Sequence, residues 1–320
     1  MHPDHTSGGG GRAPVVPVRR ASVRSGLRML GAGLCVLAAA VLLSSVAPDH
    51  ARALVTIGDW HHVWNVVGYV RAAPPAGPVA YYIGDSTARE SVVSEATWTR
   101  QLRAMGARDA RGFVLASHGQ TFGMDLRIVR DLPRGSGVVL IGVSLSRLIG
   151  PPVPGPAAHP ATFSAGVAPS VNPWVQHEYD QLAEMTSAQK RGRVTHWMRS
   201  RMPVFLHYRA ANLAALGKVV AACRARGLLP LIVDLPLNLA AVGKGLDRPL
   251  RSYRSGVRAV ARHYHVQYVS FVRALHLRSD AFYDICHVVH RGAVPWQKRL
   301  ARVAAPRLAR FARPGAFGAG

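Results

Sequence analysis

The sequence predicts an α/β domain in which a mostly parallel, five-stranded sheet is covered by helices on both faces, preceded by one amino-terminal transmembrane helix. Three observations predict this three-layer α/β/α arrangement. Five short runs are apolar on both faces, helical stretches separate them, and an uncharged apolar segment stands ahead of them all. Strands buried on both faces read as continuous apolar runs, and alternation with helices is the pattern of parallel sheets.

The apolar segment is Met29 to Ala47, MLGAGLCVLAAAVLLSSVA, without a charge. Its length suits a spanning helix at the short end of the usual range. Residues 1–28 are Gly-rich and carry Arg12, Arg19, Arg20, Arg24 and Arg28, so the positive-inside rule leaves them in the cytoplasm and the remainder outside. An A-x-A pattern at Ala51 to Ala53 stands several residues beyond the apolar core, and the basic lead is long for a secretory signal. The segment therefore reads as an uncleaved signal anchor in the cell membrane. Residues 48–77 mix Trp60, Trp64 and Tyr69 with valines and end in a Pro-rich stretch. They read as a stem or linker, at home either at a membrane surface or packed on the domain.

From residue 78 to 312 the pattern is that of the domain, with 313–320 a tail. The strand candidates are 79–86, 112–117, 137–144, 228–236 and 266–271. Each is bounded by Gly, Pro or charged residues. Helix candidates fill 88–106, 122–132, 176–199, 203–226, 248–264 and 292–312. Residues 149–174, rich in Pro, Gly, Ala and Ser, form a long loop after the third strand, where substrate-facing loops of open α/β sheets emerge.

The net charge is +24, nearly all from arginine, yet the arginines are spread along the chain and aromatic residues make up only 7%. No zinc-finger, RNA-recognition or helix-turn-helix signature accompanies them, so nucleic acid is not the expected partner. Arginine-favouring codon usage accounts for such a surface; attraction to an anionic membrane or cell-wall polymer is the second reading. Cys35, Cys223 and Cys286 are too few for a disulfide framework and lack metal-ligand spacing, and no cofactor motif is present.

Two short blocks carry chemistry. Gly84-Asp85-Ser86 ends the first strand and runs into a helix, which can lift the Ser86 hydroxyl above the sheet. Near the far end, Asp284 stands three residues before His287. A carboxylate so placed can accept from one ring nitrogen while the other takes a proton from serine. Either block alone is common in ordinary turns. Together, in this order, they resemble the SGNH (GDSL-like) hydrolases.

That resemblance, over residues 78 to 312, implies a flavodoxin-like sheet, Ser86 as nucleophile, and Asp284 and His287 as its base system. It implies that both catalytic loops leave the carboxyl ends of adjacent strands. It also implies an oxyanion hole from the Ser86 and Gly119 backbone N–H groups, with a third donor after strand three. There the family has Gly-x-Asn and this chain has Gly142-Val143-Ser144, so a short hydroxyl replaces an amide. The substrate so implied is an acyl ester, of a cell-envelope glycan or lipid given the outward orientation. The products are those of hydrolysis or acyl transfer, without metal or cofactor. A non-catalytic envelope protein that binds polysaccharide or a membrane partner is the alternative, favoured by Ser144. Arg89 and Arg147 follow two of the blocks closely enough to reach the pocket mouth, where they would meet an anionic substrate or serve as surface charges. Asp234 reads as a structural turn on the same rim, and His263, His265 and His290 as loop residues without further ligands.

Overall fold

The structure, a computed structural model, describes residues 59–135, 137–155 and 178–311. Five parallel strands form one sheet in the order β2-β1-β3-β4-β5: β1 (Val79–Gly84), β2 (Arg111–Ala116), β3 (Gly137–Val143), β4 (Leu229–Asp234) and β5 (Tyr268–Val269). All five apolar runs are strands, and the order is that of a doubly wound, flavodoxin-like sheet. Register brings the carboxyl ends level, with Gly84 beside Ala116 and Val143 beside Asp234. The loops that follow β1, β2, β3 and β4 therefore share one rim.

Alternation along β1 shows why helices must cover both faces. Tyr81 and Ile83 point into one apolar cluster, Ala80 and Tyr82 into the other, and all four are buried. The first cluster is covered by α1 (59–72), α4 (Phe122–Asp131), α6 (Met202–Ala225) and α8 (Asp247–His263). The second is covered by α2 (Ser86–Glu90), α3 (Glu95–Ala104) and α9 (His290–Phe311), with Trp98 and Trp296 fully buried in it. The remaining helices are α5 (Ser187–His196), joined to α6 through a π-helical turn at Trp197–Arg201, and the short α7 (Leu239–Val242).

Three expectations are corrected. The domain begins before residue 78: the compact unit that holds the sheet is Ala53–Gly320. In α1, Trp60 and Trp64 meet edge to face at 5.4 Å, and with Tyr69 they are buried in the first cluster rather than set at a membrane surface. Truncating an indole so placed costs ~3–5 kcal/mol, which makes α1 a part of the core. The helix expected over 88–106 is two, because the Ser94 hydroxyl accepts the Thr97 N–H and restarts the chain. The helix expected over 176–199 begins at Ser187, where Thr186 and Gln189 form a reciprocal cap; ahead of it lies a 3₁₀ turn, Glu178–Gln181.

The anchor at 29–47, the lead before it, and most of the loop at 149–174 lie outside the described residues. Among the described residues no helix is long and apolar enough to cross a membrane.

Candidate active site

Ser86 follows β1 through Asp85, whose carboxylate accepts the Thr87 N–H at 3.1 Å and so caps α2. Gly84 has to be small, since a Cβ there would lie 2.5 Å from the Ala88 Cβ. The turn is thereby tight, and it leaves the Ser86 side chain at the rim with 6% of the residue exposed.

Asp284 and His287 reach that rim from the far side of the sheet. Strands β1 and β5 are not adjacent, because β3 and β4 lie between them. The expectation of neighbouring loops fails here: the segment after β5 recrosses the rim before entering α9. It is pinned along the way. The Asn238 side-chain amide donates to the Asp284 carbonyl at 3.1 Å, Phe282 pairs with Val288, and the buried Lys190 ammonium donates to the Phe282 carbonyl at 2.8 Å.

The crossing ends in a continuous chain of hydrogen bonds. The Ser86 hydroxyl is 3.0 Å from His287 Nε2, and His287 Nδ1 is 2.9 Å from Asp284 Oδ2. The second carboxylate oxygen, Oδ1, accepts the backbone N–H groups of Cys286 and His287, each at 2.8 Å. Burial opposes the charge on Asp284, but His287 and these donors outweigh it and hold the carboxyl well below its ordinary range. Burial likewise works against a charged imidazole, yet Cys286 and Asp284 raise His287 well above its ordinary value. Because burial also pushes the Cys286 thiol up and keeps it neutral, the raising charge is that of Asp284. The donor atoms of Asp284, Cys286 and His287 lie within 4.8 Å of one another, and those of Asp284 and His287 already bond to each other.

The loop after β2 is locked beside the serine. Ser117 N–H donates to the Gly84 carbonyl, and the Ser117 hydroxyl to Gln120. Gly119 adopts φ +66°, a left-handed conformation natural to glycine, and a Cβ there would meet nothing within 4 Å. The N–H groups of Ser86 and Gly119 donate to no acceptor among the described residues. Ser144 behaves differently. Ser146 donates to Asp85 Oδ2 at 3.0 Å, which uses its only proton, so at 2.7 Å the Ser144 hydroxyl must donate to Ser146. That proton is thereby engaged in the Ser144–Ser146–Asp85 relay.

Both arginines expected at the pocket mouth are buried and paired. Arg147 binds Asp125 at 2.7 Å, with both side chains fully buried, and also donates to the Gln120 and Gly142 carbonyls. Arg89, 2% exposed, pairs with Asp59 of α1, with Glu90 at 2.7 Å and with Glu178 at 3.0 Å. Burial drives Glu90 up to about 8 and Asp59 up to about 6 despite the guanidinium between them. One guanidinium faces three carboxylates here, and burial favours the protonated form of Glu90 and of Asp59. Asp234 is a brace, accepting from Tyr253 of α8 and from Ser270 after β5.

Tyr179 is a site residue that sequence reasoning missed. Its ring stacks on the His287 imidazole at 4.0 Å and 15°. Its neighbours anchor the turn, Glu178 on Arg89 and Asp180 on the His290 N–H at 2.7 Å. Nothing local marks it, because its partners lie about a hundred residues away.

No family model and no curated protein matches the sequence. Among solved structures, the chain is similar to the YxiM protein of Bacillus subtilis, with a TM-score of 0.41 and 15% identity over 76% of this chain. The match spans 59% of that protein's length. The chain is also similar to a GDSL-like lipase from Bacteroides thetaiotaomicron, with a TM-score of 0.40 and 10% identity over 76% of this chain and 98% of that one.

Proposed function

We propose that the protein is a serine ester hydrolase of SGNH type whose catalytic domain faces outward from the cell membrane. The observation that carries this reading is the Ser86–His287–Asp284 chain, with links of 3.0 and 2.9 Å between residues up to 201 positions apart. Two separations of hydrogen-bond length, in the order nucleophile, base and orienting carboxylate, are what acyl transfer needs.

In the reaction so proposed, neutral His287 takes the Ser86 proton at Nε2 as Oγ attacks the ester carbonyl. Asp284 holds Nδ1–H and stabilises the imidazolium that forms. The developing oxyanion is met by the Ser86 and Gly119 N–H groups. Nε2–H then protonates the leaving alkoxide, and water or a sugar hydroxyl, deprotonated by His287, resolves the acyl-enzyme. Tyr179 covers one face of the imidazole and offers a π surface to its positive form. The uncharged segment at 29–47 and the arginines before it support the outward orientation, and with it an envelope glycan or lipid ester as substrate.

Labelling with a fluorophosphonate probe tests the reading. Wild-type protein is expected to label and Ser86→Ala not to. A membrane-impermeant probe is expected to label it on intact cells, which tests the compartment as well. Labelling that persists in Ser86→Ala would sink the assignment.

The relay from Ser144 favours a second reading, a site that binds its ligand without efficient turnover. Loss of one oxyanion donor costs ~10²–10³ in kcat. Ser144→Asn, which introduces an amide donor, is therefore expected to raise kcat on an aryl acetate by at least about 10-fold. Unchanged or lower kcat would show that an amide at position 144 does not serve the oxyanion.

A further inference from the structure

We infer that the flank of the domain along α8 is a binding groove for a linear polyanion other than nucleic acid, a polymer bearing repeated phosphate or carboxylate groups. Between residues 235 and 279 the chain has a single carboxylate, Asp247, against Lys244 and seven arginines. The charge of the whole chain is dispersed, whereas here it is ordered by helix geometry. Arg251, Arg254, Arg258 and Arg262 recur at intervals of three and four and form one stripe, while Leu250, Tyr253, Val257 and Ala261 face the core.

The stripe lines a depression rather than a convex surface. One cavity of about 610 Å³ gathers Arg251, Arg254 and Arg258 from α8 and Arg273 from the segment after β5. A second, of about 590 Å³, continues from the shared Arg258 to Arg262 and is floored by Ala261 and Val266. Arg254 approaches Asp234 at 3.6 Å. Arg251, Arg258, Arg262 and Arg273 form no ion pair among the described residues. Asp247 also lines the first cavity and Asp234 approaches Arg254, but the guanidiniums that converge from two elements outnumber these carboxylates, and an anion in the groove relieves the remaining repulsion.

The spacing selects the ligand. Successive guanidiniums step ~4.5–6 Å along the helix, over ~16 Å in all, which matches charges repeated along a chain better than one isolated ion. Guanidinium forks suit phosphate and carboxylate oxygens alike. The depression disfavours a flat bilayer, and of the residues lining it only His265 and Tyr268, both in the second cavity, carry aromatic rings, too few for a row of stacked bases. Leu239, which lines one end of the groove, follows Asn238, whose side-chain amide holds the Asp284 carbonyl.

The test is equilibrium binding of the full-length, detergent-solubilised chain to inorganic polyphosphate and to polygalacturonate over a range of salt. One variant combines Arg258→Gln, Arg262→Gln and Arg273→Gln. A control removes the same charge from exposed positions of α9, by Lys298→Gln, Arg302→Gln and Arg310→Gln. The groove variant is expected to lose at least about tenfold in affinity for one or both polymers and to flatten the salt dependence, while the control loses less than about twofold. Which polymer binds more tightly distinguishes phosphate from carboxylate. Equal losses in the two variants overturn the groove in favour of diffuse charge. Tighter groove-dependent binding to single-stranded DNA or to phosphatidylglycerol vesicles overturns the ligand class. Ser86→Ala is expected to bind like wild type, so the outcome does not depend on whether the esterase reading holds.

Discussion

His287→Ala is expected to lower ester turnover by ~10⁴–10⁶-fold while leaving the fold intact. Removal of the base from a Ser-His-Asp system costs nearly as much as removal of all three residues. The imidazole lies at the rim, and after its loss Asp284 Oδ1 keeps the two backbone N–H donors at positions 286 and 287, so the fold is expected to hold. The pH profile gives a sharper test. Only neutral imidazole accepts the serine proton, and Asp284 holds His287 well above the ordinary value of 6.5. The rate is therefore expected to rise with pH, with its limb above that value. Asp284→Asn removes the stabilising charge, so it is expected to move the limb to lower pH and to cost ~10⁴ in kcat. Steady-state kinetics on an aryl acetate checks both. A wild-type limb at or below the ordinary imidazole value, unmoved by Asp284→Asn, would contradict the pairing.

Arg147→Met is expected to destabilise the domain by ~3–5 kcal/mol, because it leaves Asp125 buried without its partner. Arg147 and Asp125 have no exposed side-chain surface, so water cannot replace the lost interaction. Gln120 donates to Asp125 at 2.8 Å, but an amide does not neutralise a carboxylate. The variant's remedy is to protonate Asp125, which burial already pushes up. The sign follows from linkage. A carboxyl whose folded pKa is raised binds more protons in the folded state, so stability is greatest below the unfolded pKa and is lost as pH rises toward the folded one. Urea denaturation is expected to place the variant's midpoint lower at pH 8 than at pH 5. Arg147→Met combined with Asp125→Leu is expected to recover much of the loss, since the charge is then gone. A single variant within about 0.5 kcal/mol of wild type would show that the pair is dispensable. Because Arg147 also holds the Gln120 carbonyl, next to Gly119, the same variant should loosen the loop that carries Gly119.

Much of the fold was legible because its signals are local. Each strand is a run such as Val79 to Gly84, apolar on both faces and ended by a turn residue, and such a run has few other structures open to it. The placement of Ser86 was legible because Gly84 closes a strand and Ser86 opens a helix within three residues. The pairing of Asp284 with His287 was legible because their separation in sequence already sets their distance. Helix α1 was not legible: Trp60, Trp64 and Tyr69 among valines suit a membrane surface and a protein core equally, and only the sheet offers the second. Nor were the fates of Arg89 and Arg147, because the carboxylates that bury them, Asp59, Glu178 and Asp125, are 22 to 89 residues away.

Sequence by itself thus determined the alternation of strands and helices, the parallel sheet, and the residue types of the candidate site. Tertiary structure alone decided that Ser86 meets His287 across 201 residues, with two strands between their points of departure. It also decided that Tyr179 covers the imidazole and that the Ser144 hydroxyl bonds to Ser146. The physical reason is common to all of these. A strand or a cap is chosen by interactions within a few residues, whereas a contact between distant segments depends on how the whole core packs, and the same side chain takes different partners in different packings.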